Sequence, residues 1–184
     1  MEIQNAERLN NWLTQREIDT SAWGIGVAKS VEDLWAEIVN GESLLESTPL
    51  LRVVQVVNVI IRKNDKVLIE TEQQFNGNQT RNRDIPLSEK LKPGEDQIYA
   101  ALRGIKEELQ VGAEQVEILK HSEKPRAELT ESPSFPGLQT KYLLHTVEVR
   151  IENLPDETFW TDEAPENDSD PVTRHQWQWK VVAQ

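Results

Sequence analysis

The chain has 184 residues, 20 Lys+Arg against 32 Asp+Glu, a net charge of -12 and no Cys. That length suits one domain of ordinary size plus a terminal extension, and the missing Cys excludes disulfides, thiolate metal sites and cysteine nucleophiles. So acidic a chain repels phosphate polymers, so no nucleic-acid polymer is expected as a partner; with no basic-then-apolar leader and no run near ~20 apolar residues, the expectation is a soluble, cytoplasmic protein with no membrane partner.

Residues 3–17 read as a helix with apolar Ile3, Leu9, Trp12 and Leu13, followed by a turn over Asp19–Gly26. Ser30 is placed to cap a second helix, with Asp33 three positions on in a capping-box arrangement. Val31, Leu34, Trp35 and Ile38 form its apolar stripe, and Gly41 is its stop. These helices define an N-terminal helical extension over 1–48, ahead of a strand-rich domain over 49–184.

Leu51–Ile61 carries seven Val/Ile residues, a density that favours a mostly buried strand over the helical hint of its polar spacing. A turn at Lys63–Lys66 leads to a second strand, Val67–Thr71, and so to a hairpin. Phe75 to Pro93 reads as a long polar loop, and residues 96–110 as a helix with Ile98, Ala101, Leu102, Ile105 and Leu109 on one face. Val116–Lys120 and Thr140–Ile151 read as strands around a loop from His121 to Leu138. The acidic stretch 162–171 reads as a solvated loop. His175, Trp177 and Trp179 alternate with glutamines in a half-buried closing strand.

Chemistry concentrates between Lys92 and Val111. Counting about 100° per residue, Glu107 lies opposite the apolar stripe and Glu108 about 100° further round. Two adjacent carboxylates thus stand on the non-core side, with Arg103 one turn before Glu107. Such oxygens can hold Mg²⁺ or Mn²⁺, while an ordinary amphipathic helix with one Arg/Glu pair explains the same spacing.

This stretch resembles the Nudix box, G-x5-E-x7-R-E-U-x-E-E-x-G-U, where U is aliphatic. Glu95 matches the first Glu, Arg103 the Arg, Ile105 the aliphatic residue, Glu107 and Glu108 the paired Glu, and Val111 the last aliphatic. Gly94 matches the glycine that commonly precedes the first Glu. The resemblance covers about residues 50–182 and implies an α+β fold, a Nudix-like α/β/α sandwich with a mixed sheet. It also implies a metal-dependent hydrolase of a diphosphate linkage in a small nucleotide-type substrate. In that scheme Glu107 and Glu108 hold Mg²⁺ or Mn²⁺ with the Gly94 carbonyl, Arg103 orients the carboxylates, and Glu95 braces the loop. The alternative is a catalytically silent module that binds a nucleotide or a protein partner through the same groove.

The sequence departs from the pattern at three places. Glu89 stands at the leading glycine, Gly104 at the Glu after the Arg, and Gln110 at the closing glycine. In the family the residue matched by Gly104 is usually a metal ligand. Gly104 signifies either tolerance at an exposed site or close approach by another group, and Gly104→Glu is expected to raise cation affinity. Candidates for a general base are Glu128, Glu131, Glu163 and Glu166, each equally readable as a solvated surface acid.

Arg81, Arg83, Lys90 and Lys92 precede the box and are candidates to hold phosphate oxygens, with a balanced solvated loop as the plain alternative. Lys124 and Arg126 are weaker candidates of that kind. Trp177 and Trp179 can stack on a base or pack in the core, and Trp12, Trp23 and Trp35 are expected to dock the N-terminal helices. The three histidines show no metal-ligand spacing and receive no role. Edge aromatic residues leave room for a homodimer.

Overall fold

The computed structural model describes residues 3–26, 28–76, 79–164 and 172–181. The fold is α+β, with a mixed ten-stranded sheet and three α-helices among the described residues. In chain order these are α1 (Ala6–Thr14), α2 (Val31–Val39), β1 (Leu44–Ser47), β2 (Leu50–Lys63), β3 (Lys66–Phe75), β4 (Thr80–Ile85), β5 (Leu87–Lys90) and α3 (Gln97–Leu109). There follow β6 (Val116–His121), β7 (Arg126–Glu131), β8 (Gln139–Ile151), β9 (Phe159–Asp162) and β10 (Val172–Val181). No helix among the described residues is long and apolar enough to cross a membrane.

The chain divides into two compact units, and the long strands β2 and β8 contribute to both. The first comprises Met1–Gln55, Lys90–Gly94 and Pro125–Leu144. Its core gathers Leu9, Leu13, Trp23, Leu34, Phe135 and Leu138, with Trp12 and Trp35 packed against them. Trp23 meets Phe135 at a ring-centroid distance of 5.1 Å and donates its indole N–H to the Pro136 carbonyl at 2.9 Å. The Ser30 capping box forms as its spacing predicts: Ser30 Oγ accepts from the Asp33 amide, and Asp33 accepts from the Ser30 amide. Gly41 ends this region at φ 73°, where any Cβ would run into the Pro93 ring.

The buried Glu37 of α2 is the electrostatic centre of this unit. It accepts from Arg52 Nη2 at 2.6 Å, Ser43 Oγ at 2.7 Å, and both Lys29 and Lys90 at 2.8 Å. Burial pushes its carboxyl up, but Lys90 and Arg52, with Lys29, outweigh burial and hold it well below the usual carboxylate range.

The second unit comprises Val56–Glu89, Glu95–Lys124 and His145–Gln184. Here β3 pairs antiparallel with β4 on one side and with β10 on the other, and β9 adds to β10. The β10 register sets Trp177 opposite Glu70 and His175 opposite Gln73. Asp96 caps α3 by accepting from the amides of Ile98 and Tyr99 at 2.9 and 2.8 Å. Ala100, Ala101, Ile105 and Leu109 of α3 are buried. Its C-terminal end is tied to the segment after β9: Ala164 N donates to Glu107 O at 3.0 Å, and Gln110 Nε2 to Asp162 O at 2.9 Å.

Several loops expected from the sequence are strands. The polar span 75–93 contains β4 and β5, and 121–138 contains β7. Every β7 residue is exposed, so no hydrophobic alternation marks it, and its pairing with β8 makes it a strand. The first helix is shorter than expected, and β9 lies where no strand is expected. Of the acidic stretch 162–171, residues 165–171 lie outside the described residues.

Candidate functional site

The site is built on α3, β3 and β10, all within the second unit. Arg103 is buried on α3 and clamps Glu95 in a two-pronged contact, Nε to Oε1 at 2.9 Å and Nη2 to Oε2 at 3.0 Å. Its Nη1 stands 3.1 Å from Glu89 Oε1 and 3.5 Å from Glu107 Oε2. Burial lowers the Arg103 pKa, but its hydrogen bonds to Glu95 and the charges of Glu89 and Glu95 outweigh it, so the guanidinium is held charged.

Glu107 and Glu108 are less open than the helical wheel implies. Their side chains are only 14% and 12% exposed, because neighbouring strands cover that face of α3. One such cover is Glu70 of β3, a buried acid that accepts from Arg83 Nε at 2.9 Å and from His175 Nδ1 at 2.6 Å. Burial pushes the Glu70 carboxyl up, but His175 and Arg83 outweigh it and leave it lowered.

His175 Nε2 also bonds to Glu163, and Nδ1 lies 3.5 Å from Glu108 Oε2. Burial alone lowers its pKa, but the bonds to Glu163 and Glu70 raise it to about 10, so both ring nitrogens carry protons at neutral pH. Glu108 shifts oppositely: burial, with the charges of Glu70, Glu89 and Glu163, drives its carboxyl well above the usual range, and His175 only partly offsets this.

Glu70, Glu108 and His175 bring one ligand atom each within 4.8 Å of one another. The carboxylates of Glu70 and Glu108 suit a divalent cation, while His175, protonated on both ring nitrogens, would have to give up a proton to join them. Carboxylate oxygens are the choice of a hard ion, and a cation there would offset the like charges crowded around Glu108.

Glu70 and His175 are functional candidates that sequence spacing does not reveal. They lie 105 residues apart and meet only through the β3–β10 pairing. A signal existed in each strand: Glu70 stands two positions from buried Leu68, and His175 two from buried Trp177.

The other candidates are dispersed. Arg81 bonds to Gln73 and lies 5.2 Å over the Phe75 ring, while Arg83 is paired with Glu70. Lys90 belongs to the first unit, paired with Glu37 and Glu42, and Lys92 and Gly94 are exposed members of that unit. Glu128 pairs with Arg126, and Glu131 accepts from the Gly137 amide at 2.9 Å, both on exposed β7. Glu163 joins the acid cluster, and Glu166 lies outside the described residues. Trp177 is fully buried with its indole N–H on Thr161, so it packs in the core and is closed to base stacking. Trp179 donates to the Pro155 carbonyl at 2.7 Å.

Gly104 is buried, which removes the exposed-site explanation. A Cβ at this position would lie 3.0 Å from Leu87 Cδ2 and 3.2 Å from Glu89 Cβ. Close approach by β5 side chains accounts for the glycine, and Gly104→Glu has no open space to enter.

No family model matches the sequence, and no curated protein matches it. Among solved structures, the chain is similar to an Ap4A hydrolase from C. elegans at 21% identity, TM-score 0.34, covering 69% of this chain and 79% of that one. It is similar to an ADP compounds hydrolase at 18% identity, TM-score 0.34, over 74% and 67% of the two chains. A NUDIX hydrolase from Nitrosomonas europaea is similar at 21% identity, TM-score 0.39, over 67% of this chain and 70% of that chain.

Proposed function

We propose that the protein is a metal-dependent hydrolase of a diphosphate linkage in a small nucleotide-type molecule, of the Nudix kind. The observation that carries this reading is the convergence of Glu108 with Glu70 and His175, beside Glu107 and the Arg103–Glu95 clamp. Mg²⁺ or Mn²⁺ bound among these oxygens would neutralise the diphosphate and acidify the attacking water.

The chain's own residues supply positioning. Arg103 spans Glu95, Glu89 and Glu107, fixing the spacing of three carboxylates from one planar group. Protonated His175 holds Glu70 and Glu163 through opposite ring nitrogens, so neither acid is free to turn away. Glu163 is the one general-base candidate from the sequence that joins this cluster among the described residues.

With Mg²⁺ or Mn²⁺, phosphate release is expected from a member of a panel of dinucleotides, nucleoside-diphosphate sugars and nucleoside triphosphates. Glu107→Gln should reduce turnover about 100-fold or more, the upper end for groups that merely orient metal ligands. The second reading, a silent nucleotide- or protein-binding module, draws on the internal cations: Arg103 lies 3.5 Å from Glu107, and His175 lies 3.5 Å from Glu108. Absence of turnover across the panel, with ligand-induced stabilisation unchanged in Glu107→Gln, selects that module.

A further inference from the structure

Among the described residues β1, β4, β5, β6, β7 and β9 each pair with a single neighbouring strand. An open strand edge is a template for another chain, and proteins blunt it by keeping the strand short or by breaking its register. β1, β5 and β9 have four residues each, and β4 and β6 carry register irregularities. β7, in the first unit, has neither protection: its six residues pair with β8 in unbroken register, from Arg126 opposite Leu144 to Glu131 opposite Gln139. It contains no Lys, Pro or Gly, every residue in it is exposed, and Leu129 is 60% exposed.

The charges that would keep a second acidic chain away are largely offset within the strand. Arg126 pairs with Glu128, and Glu131 Oε1 accepts from the Gly137 amide at 2.9 Å. Arg126 against Glu128 and Glu131 leaves β7 at -1, in a chain at -12.

Self-pairing restricts the register. A two-fold axis normal to the sheet keeps every side chain on its own face, so a β7 residue can stand opposite only partner residues an even number of positions away. An axis at Glu128 sets like charges directly opposite each other, which is destabilising. Axes at Ala127 or Thr130 keep only three residues of the strand in the ladder, and the first draws in Pro125, which has no N–H to donate. An axis at Leu129 keeps Ala127 to Glu131 in the ladder, with Glu128 opposite Thr130, Ala127 opposite Glu131 and no like charges opposed.

We propose that β7 joins β7 of a second copy of this chain, antiparallel about a two-fold axis at Leu129, so that each exposed leucine is covered by its counterpart.

The lack of Cys gives a direct test on the full chain. Wild type should sediment as a dimer. Leu129→Lys should raise the dimer dissociation constant about tenfold or more, with an unchanged circular dichroism spectrum. Mild oxidation of Leu129→Cys should give a disulfide-linked dimer, because residues directly opposite on neighbouring strands stand within disulfide reach. Thr130→Cys should not, since its two copies are offset along the strands. A monomeric wild type overturns the proposal, as does a dimer that Leu129→Lys leaves intact. Should Leu129→Lys fail to fold, the cysteine variants decide: crosslinking of Thr130→Cys equal to or greater than that of Leu129→Cys overturns it.

Discussion

Glu37 and Glu108 are both largely buried acids on helices, yet their surroundings leave them in opposite states. Around Glu37 the chain supplies Arg52, Lys29 and Lys90, and the carboxyl is held far down. Around Glu108 burial acts together with the charges of Glu70, Glu89 and Glu163, His175 offsets them in part, and the carboxyl is driven up. The first arrangement is structural, and its energetics follow from linkage. A folded-state pKa below the ordinary 4.5 contributes stability that is fully present above that value and is lost as pH falls toward the lowered one. Acid titration of the unfolding free energy should therefore show a descending limb below about pH 4.5 that is shallower in Glu37→Gln. At neutral pH the same variant leaves the Arg52 guanidinium, whose side chain is 4% exposed, without its buried anion. A loss of about 3–5 kcal/mol in urea denaturation is expected, the usual cost of breaking one side of a buried pair.

At the scale of elements, α3 carries the site and its start fixes where the site lies. Asp96 satisfies two of the amides that a helix leaves open at its first turn. Asp96→Ala should cost about 1 kcal/mol in chemical denaturation and fray the turn that follows Glu95. This helix was legible in the sequence to within a residue at each end, because its buried positions recur at spacings of three and four. The capping box at Ser30 was legible for a similar reason: a short-range motif needs no tertiary information. Strands β4 and β7 were not, since almost all their residues are exposed and backbone pairing to β3 and β8 makes them strands. The same division runs through the site. Glu95, Arg103, Glu107 and Glu108 fall in one local stretch, and the resemblance to the box is what singles them out. Glu70 and His175 could not be found in this way, because their encounter depends on a register between strands far apart in the chain. Gly104 was visible as an anomaly, but its cause lies in β5, so only the packing explains it.

For the whole molecule, a net charge of -12 makes divalent cations favourable partners at long range, while the proposed site would add a saturable effect. At about 100 times its Kd, Mg²⁺ should raise the unfolding free energy by about 2.7 kcal/mol. Sodium chloride at matched ionic strength should not reproduce that gain in a thermal melt, and equal stabilisation by both salts would reduce the effect to general screening. One detail of the strand arrangement bears on what such binding would cost. Glu70 is gripped from β4 by Arg83 through one oxygen and from β10 by His175 through the other. Its torsional freedom is therefore surrendered during folding, ahead of any encounter. An ion bound there would meet an anvil already set, so little further ordering of this side chain would oppose its binding.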